Sequence, residues 1–211
     1  MGNFDATIPT TREEISATSE EILTSSEEIL ANREAIPSTR EETLAAWFLG
    51  QANSGPEGDL LELGPETLGA SRFCRDGENY LSPDLEVTDW KTLRNQSTKR
   101  FRFVHFTATG TYSELLNRID MARFLLRVNG IVAITGYRAG HNPAAAAAVW
   151  HSVLAGTLRP ICTTRHRFYG MWGDPAPVQN ELLVWLASHV SGYAAEVHCI
   201  AKHRILHFNI T

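Results

Sequence analysis

No apolar run in this 211-residue chain approaches bilayer-crossing length, which excludes a membrane-spanning helix. Cysteine is scarce too. Cys74, Cys162 and Cys199 stand far apart with neither metal nor redox spacing, which excludes a disulfide framework and suits a reducing compartment. Basic charge is not in excess. Nineteen Lys and Arg (19) meet 24 Asp and Glu, and the net charge of −5 argues against nucleic acid or an anionic membrane as partner. The one basic cluster, Lys99 to Arg102, reads as a solvated approach to a strand. The first residues, MGNFDATIPTTREE, lack a basic region followed by an apolar core, so no secretory signal is read there. Gly2 followed by Thr7 does not fit myristoylation spacing. The expectation is a cytoplasmic protein. Apolar content of 43% and charged content of 20% suit one soluble domain with a substantial core.

Residues 11 to 45 repeat every seven: TREEISA, TSEEILT, SSEEILA, NREAIPS, TREETLA. Most units open on a capping residue with Glu three later, the S/T-x-x-E box of a helix start. Ile15, Ile22, Ile29 and Ile36 recur at one phase and make a thin helical stripe, opposed by Thr, Ser and Asn where a self-standing coiled coil wants leucine. Pro37 ends that pattern, and a new helix is expected from about Ser38 through Leu49. Three readings fit the array: an amphipathic helix docked on its own domain or on a second copy, a mobile acidic arm, and a lid over a substrate site. The expected division is a helical heptad-repeat extension over 1–50 and an α/β domain over 51–211.

Within that domain, Phe103 to Phe106 reads as a buried strand and Tyr112 onward as an amphipathic helix carrying Leu115, Leu116 and Ile119. Asn129-Gly130 turns into a second apolar strand, Ile131 to Ile134. Strand, helix, strand with continuous apolar strands predicts a parallel sheet covered by helices. Upstream, Gly58 to Gly64 (GDLLELG) reads as another strand, followed by a glycine-bearing turn through Gly69. Glycine there lets a backbone approach a ligand without a Cβ clash.

These segments resemble the class I S-adenosylmethionine-dependent methyltransferases, in particular the small-molecule O-methyltransferase-like group. In that group one strand ends in a pattern like h-x-D-G-x-H-x-Y, which stands here as His105-Phe106-Thr107-Ala108-Thr109-Gly110-Thr111-Tyr112. A pattern like G-G-x-x-x-x-D-D-Y stands here as Asn129-Gly130-Ile131-Val132-Ala133-Ile134-Thr135-Gly136-Tyr137. The glycine turn stands as Glu62-Leu63-Gly64 with Gly69, one residue longer than the family's E-x-G-x-x-x-G. The resemblance implies a Rossmann-like fold, S-adenosylmethionine as cofactor and Glu62, Gly64, Gly69 and Ser71 as the residues that bind it. Thr107 and the Thr135-Gly136 pair replace acids that hold a divalent metal in many members, and a hard cation needs such oxygens, so no metal is expected. Fewer than forty residues separate Leu63 from Phe101, where the family fits two more strands, so the first half of the domain is abbreviated. Asp84, Glu86 or Asp89 could stand in for the acid that binds the cofactor ribose.

The last third should contain an alanine-rich helix from Ala144 to about Leu154, an extended segment Arg159 to Tyr169, and a helix Val178 to Val190. Ala194 to Ile210 reads as one long or two short strands, with an antiparallel strand at the sheet edge. His198, His203 and His207 lack the helical pairing of a zinc site and do not share one parity along a single strand, so no metal site is read there. His105 and His141 sit at or after strand ends, where open α/β sheets bind ligands, and are the candidate general bases, with Tyr112 and Tyr137 as hydrogen-bonding partners.

The expected function is a metal-independent methyltransferase acting on a small molecule. The alternatives are a repurposed methyltransferase fold catalysing a cofactor-independent cyclisation, elimination or isomerisation, and a non-catalytic scaffold subunit. The expected partners are a small-molecule substrate and a second copy of the chain joined through the N-terminal helices.

Overall fold

The structure is a computed structural model that describes residues 40–50, 57–83, 93, 100–189 and 195–208. The heptad array before residue 40 and the ribose-acid candidates Asp84, Glu86 and Asp89 lie outside the described residues. In chain order the elements are α1 (Arg40–Gly50), β1 (Asp59–Leu63), a 3-10 turn (Ala70–Phe73), β2 (Tyr80–Leu81), β3 (Phe101–Thr107), α2 (Tyr112–Leu125) and β4 (Leu126–Thr135). Then come α3 (Pro143–Leu154), β5 (Arg159–Thr163), β6 (Arg167–Met171), α4 (Ala176–His189), β7 (Ala195–Ile200) and β8 (His203–Phe208).

All eight strands join one sheet in the order β2-β1-β3-β4-β6-β5-β8-β7. β2, β1, β3 and β4 run parallel to one another. β1 and β3 are buried along their whole length, because helices cover both faces of the sheet. On one face Leu61, Leu63, Val104, Phe106, Val132 and Ile134 pack against α2 and α3. On the other, Leu60, Phe103, Ile131, Ala133, Tyr169 and Met171 pack against α1 and α4. This is the expected α/β, Rossmann-like architecture, a mostly parallel sheet between helices, and its edge strand β2 is only two residues long, Tyr80 and Leu81.

Local chemistry explains the helix starts. Thr111 and Glu114 form a reciprocal capping box at the head of α2. Pro143 sits in the first turn of α3, where a missing N–H costs nothing.

Four expectations change. The segment read as extended from Arg159 to Tyr169 is a tight hairpin of two strands, and β6 inserts antiparallel between β4 and β5, inside the sheet. The chain end takes the two-strand form of its expectation: β8 lies parallel to β5, and β7 is the expected antiparallel edge. Their two-residue turn, Ala201-Lys202, takes φ of 49° and 68°, the left-handed conformation of a primed hairpin turn. Cross-strand pairing (His198 opposite Ile205, Ile200 opposite His203, Glu196 opposite His207) therefore places His198, His203 and His207 on one face, which parity along a single strand could not show.

α1 belongs to the α/β core rather than to the N-terminal extension. Leu44, Phe48 and Leu49 are buried, Phe48 stacks on Tyr169 at 4.2 Å between ring centres, and Trp47 meets Trp185 of α4. Arg102 is not solvated either. It is 5% exposed and ties Glu78, the Leu49 carbonyl and the Phe73 carbonyl together, locking α1 and the 3-10 turn onto β3. Among the described residues of that basic cluster, Arg100 faces solvent, and it pairs with Asp59.

Candidate functional site

Strand register brings the carboxyl ends of β1, β3 and β4 and the start of antiparallel β6 into two polar rows on the face that α1 and α4 cover. Glu62 lies opposite His105, His105 opposite Ala133 and Ala133 opposite Tyr169. One step nearer the carboxyl ends of the parallel strands, Thr107 lies opposite Thr135 and Thr135 opposite Arg167. The row on the other side, Leu60, Phe103, Ile131 and Met171, is entirely apolar. Hence this face changes from hydrocarbon to polar at the carboxyl ends, the edge where open parallel sheets bind ligands.

Glu62 is 1% exposed and turns its carboxylate inward. Oε1 accepts from the Leu68 N–H at 2.5 Å, and Oε2 from the Ala70 N–H at 3.2 Å and the Tyr80 hydroxyl at 2.9 Å. It therefore clamps the loop from Gly64 to Gly69 around its own side chain. Burial alone would raise this carboxyl's pKa, but the His105 contact and the bonds from Leu68 and Tyr80 hold it below the usual value.

His105 is fully buried. Its Nε2 is 2.8 Å from Thr135 Oγ1, and its Nδ1 is 3.4 Å from Glu62 Oε1, a long contact rather than a formed hydrogen bond. Burial lowers the imidazole pKa, and the neighbouring Glu62 offsets only part of that. A neutral ring with its proton on Nδ1 satisfies both neighbours: Nδ1–H points to the carboxylate, and Nε2 accepts from the Thr135 hydroxyl. Acid, imidazole and hydroxyl are thus connected as in a nucleophilic triad, but Thr135 is 3% exposed and cannot meet a substrate.

The linkage sign follows from the lowered pKa. Below about pH 6.5 the unfolded chain takes up a proton at this position that the folded chain refuses. Stability from His105 is therefore complete above that pH and is lost as pH falls through it. Glu62, whose carboxyl pKa is depressed, adds a second loss at more acid pH, below its ordinary 4.5. Urea midpoints of the parent should be lower at about pH 5.5 than at about pH 7.5, and His105→Gln should lessen the difference. Equal parent midpoints at the two pH values would contradict this reading of His105.

Glu41, at the start of α1, completes the site from above. Its Oε2 is 3.6 Å from Arg167 Nη1, and the same nitrogen donates to the Glu41 carbonyl at 3.1 Å. Both Glu41 carboxylate oxygens, His105 Nδ1, Thr107 Oγ1, Arg167 Nε and the Tyr169 hydroxyl are buried without a hydrogen-bond partner among the described residues. Buried polar atoms are normally satisfied, so this concentration along one sheet edge marks the candidate site.

The residues expected from sequence divide into those at this edge and those away from it. Glu62 and His105 are in the rows, but as interior supports, and His105 has no surface from which to act as a base. His141 is exposed in the loop before α3. Tyr112 is exposed and meets the His151 ring edge-on at 6.0 Å. Tyr137 is buried between Trp150 and Phe168 on the opposite face, and its hydroxyl is 3.4 Å from the Thr164 carbonyl. Neither tyrosine partners His105. Gly64 has φ of +115°, and a Cβ on it would lie 2.8 Å from Thr107 Oγ1, so its glycine is required by the neighbouring strand. Gly69, with φ of +70°, faces open space, since a Cβ there would approach only the end of Arg72 at 3.9 Å. Ser71 is exposed.

Sequence reading missed Glu41, Arg167 and Tyr169. The signal for Arg167 and Tyr169 was the alternation in RHRFYGM, but their places beside Thr135 and Ala133 depend on β6 running antiparallel to β4. Among the described residues no group of three His, Cys, Asp or Glu side chains could hold a metal ion, and no helix is long and apolar enough to cross a membrane.

No protein-family model matches the chain, and no curated protein matches it in sequence. Among solved structures, a Corynebacterium glutamicum protein from a structural genomics programme is 10% identical, with a TM-score of 0.43, covering 77% of this chain and 97% of that one. A T. thermophilus 16S rRNA N2 G1207 methyltransferase, solved with AdoMet and guanosine, is 14% identical with a TM-score of 0.35 over 80% of this chain. This chain spans about half (47%) of the RNA methyltransferase's length. Likenesses at such scores add nothing to what strand order and register state directly.

Proposed function

We propose that the chain binds S-adenosylmethionine beside the Gly64–Gly69 loop and methylates a small molecule without a metal ion. The observation that carries this reading is the loop itself. It follows β1 at the carboxyl edge of the sheet and is held from within by the Glu62 carboxylate through the Leu68 and Ala70 N–H groups.

The residues fit the cofactor in a divided way. Gly69 and Ser71 present the outward surface that would hold it, Glu62 shapes the loop, and Gly64 lets β1 and β3 approach. S-adenosylmethionine, when bound, supplies a methyl group on a sulfonium, and transfer requires mainly alignment of the acceptor. Arg167, whose Nε has no partner among the described residues and whose side chain is 15% exposed beneath α1, is the group suited to orienting that acceptor, whereas Thr107 and Tyr169 are buried and support the strand ends from within. Thr107 and Thr135 offer hydroxyls and no charged oxygens, a poor donor set for a divalent cation.

A second reading uses the same rows differently. Glu41 and Arg167, the two partly exposed members, would serve a substrate of a cofactor-independent reaction in a repurposed fold. Calorimetric titration with S-adenosylmethionine and S-adenosylhomocysteine separates the two. Saturable binding, with a melting temperature that rises with ligand concentration, supports the methyltransferase reading. No heat at millimolar ligand removes it and leaves the second. The metal expectation is tested in the same cell: affinity for S-adenosylhomocysteine should be the same in chelator and in added magnesium. A dependence on magnesium would show charged ligands outside Thr107 and Thr135.

A further inference from the structure

A cavity of about 340 Å³ opens on the α3 side of the sheet, beyond β4, and has no part in the site described above. Tyr137, Trp150, Ile200 and Ile205 form its apolar wall. Tyr137 and Ile205 are buried core residues, and Trp150 stands edge-on to Tyr137 at 6.4 Å, so this wall is rigid and aromatic. Thr163, Arg138, His198 and His207 supply the polar part.

The polar groups come together because of topology. Thr163 ends β5, and its hydroxyl is 3.0 Å from Nδ1 of His207 on β8, which runs parallel to it. His198 reaches the same place from β7, because the hairpin register sets it opposite Ile205, on the face of His207 and diagonal to it, and the two rings are 6.1 Å apart. Arg138 enters from the loop after β4 and is exposed. None of the eight lining residues is acidic, although the whole chain carries a net charge of −5. His198 does have an acid beside it, Glu196, at 3.2 Å.

We propose that this cavity binds a small planar acid, an aromatic or heteroaromatic carboxylate. The volume is at the lower end of small-molecule sites. An aromatic ring suits the Trp150 and Tyr137 wall with its isoleucines, where offset or edge-on contacts are favoured. A carboxylate suits Arg138, whose planar guanidinium can bond both oxygens, together with the one N–H or O–H that the Thr163–His207 bond itself does not take. This site lies on the β4, β5, β8 and β7 half of the sheet, whereas the Gly64–Gly69 loop follows β1, so the inference stands whether or not the cofactor reading does.

Titration of the full chain with 2-naphthoate tests it, with 2-naphthamide as the uncharged analogue and inorganic phosphate as charge without a ring. Naphthoate should bind saturably, and the amide and phosphate should each bind at least about tenfold more weakly. Arg138→Gln should weaken naphthoate by about tenfold and leave the amide unchanged, with the melting temperature preserved because Arg138 is exposed. Trp150→Leu should weaken both ring ligands together. Equal binding of acid and amide, insensitivity to Arg138→Gln, or no naphthoate binding at millimolar concentration would overturn the proposal.

Discussion

Arg102→Met is expected to lower stability by about 3–5 kcal/mol, the cost of breaking a buried ion pair from one side. Whole domains are stable by only about 5–15 kcal/mol, so the variant should be partly unfolded at ordinary temperature. Three features set this size. Arg102 is 5% exposed, so no solvent replaces it. Its Nε and Nη2 each donate to Glu78 at 2.9 Å, while Nη1 reaches the Leu49 carbonyl at 2.9 Å and Nη2 also the Phe73 carbonyl at 2.8 Å. Methionine would leave a carboxylate and two carbonyls without that partner. Burial by itself would raise the Glu78 carboxyl's pKa, and Arg102 with the Arg75 and Gly58 N–H groups holds it down instead. Arg102→Lys should not rescue, because one ammonium cannot reproduce the fork that joins α1, the 3-10 turn and Glu78. Adding Glu78→Gln to Arg102→Met should recover part of the loss by removing the stranded charge. Urea denaturation reads all three variants, and a loss under about 1 kcal/mol for Arg102→Met would mean the network is ornamental.

Gly64→Ala carries the second large effect, about 2–6 kcal/mol, from two separate sources. The φ of +115° is one that a residue with a Cβ rarely adopts. The new Cβ would also lie 2.8 Å from Thr107 Oγ1 and 3.0 Å from Thr107 Cβ, on a strand that is buried throughout. Gly69→Ala is the control: its φ of +70° costs about 1–2 kcal/mol, and nothing crowds it. Thermal melts should therefore separate the two glycines clearly. Gly69→Val, still folded, should weaken S-adenosylhomocysteine if that loop holds the cofactor. Equal losses at Gly64 and Gly69 would refute the close approach of β1 and β3 as the reason for Gly64. This differs from the expectation drawn from the sequence resemblance, in which Gly64 faces the ligand: Thr107 occupies that side.

Local signals placed most of the elements. The apolar runs Phe103 to Phe106 and Ile131 to Ile134 and the spacing of Leu115, Leu116 and Ile119 predicted β3, β4 and α2, because hydrophobic period acts between near neighbours along the chain. The turn expected at Asn129-Gly130, however, lies inside β4, which begins at Leu126. Leu60 to Gly64 was legible as strand and turn for the same reason. The two residues of β2 were not. Tyr80 and Leu81 are a strand only because β1 offers them an open edge.

The candidate site divides along the same line. Glu62, His105, Thr107 and Thr135 each sit near the end of a strand that its own residues announce, so their nearness to the sheet edge follows from sequence. Their roles do not. Whether His105 meets solvent or Thr135, and whether Gly64 meets a ligand or Thr107, depends on what packs over the strand and how the strands register. Arg167 and Tyr169 join the rows because β6 inserts antiparallel beside β4, and Glu41 because α1 packs across that face. His198 and His207 converge only through the hairpin turn. The sequence by itself determined the α/β alternation and the glycine turn, since backbone propensity and hydrophobic period are local. The tertiary structure alone decided which side chains are neighbours, since contacts between residues far apart in the chain are chosen by burial and strand pairing together.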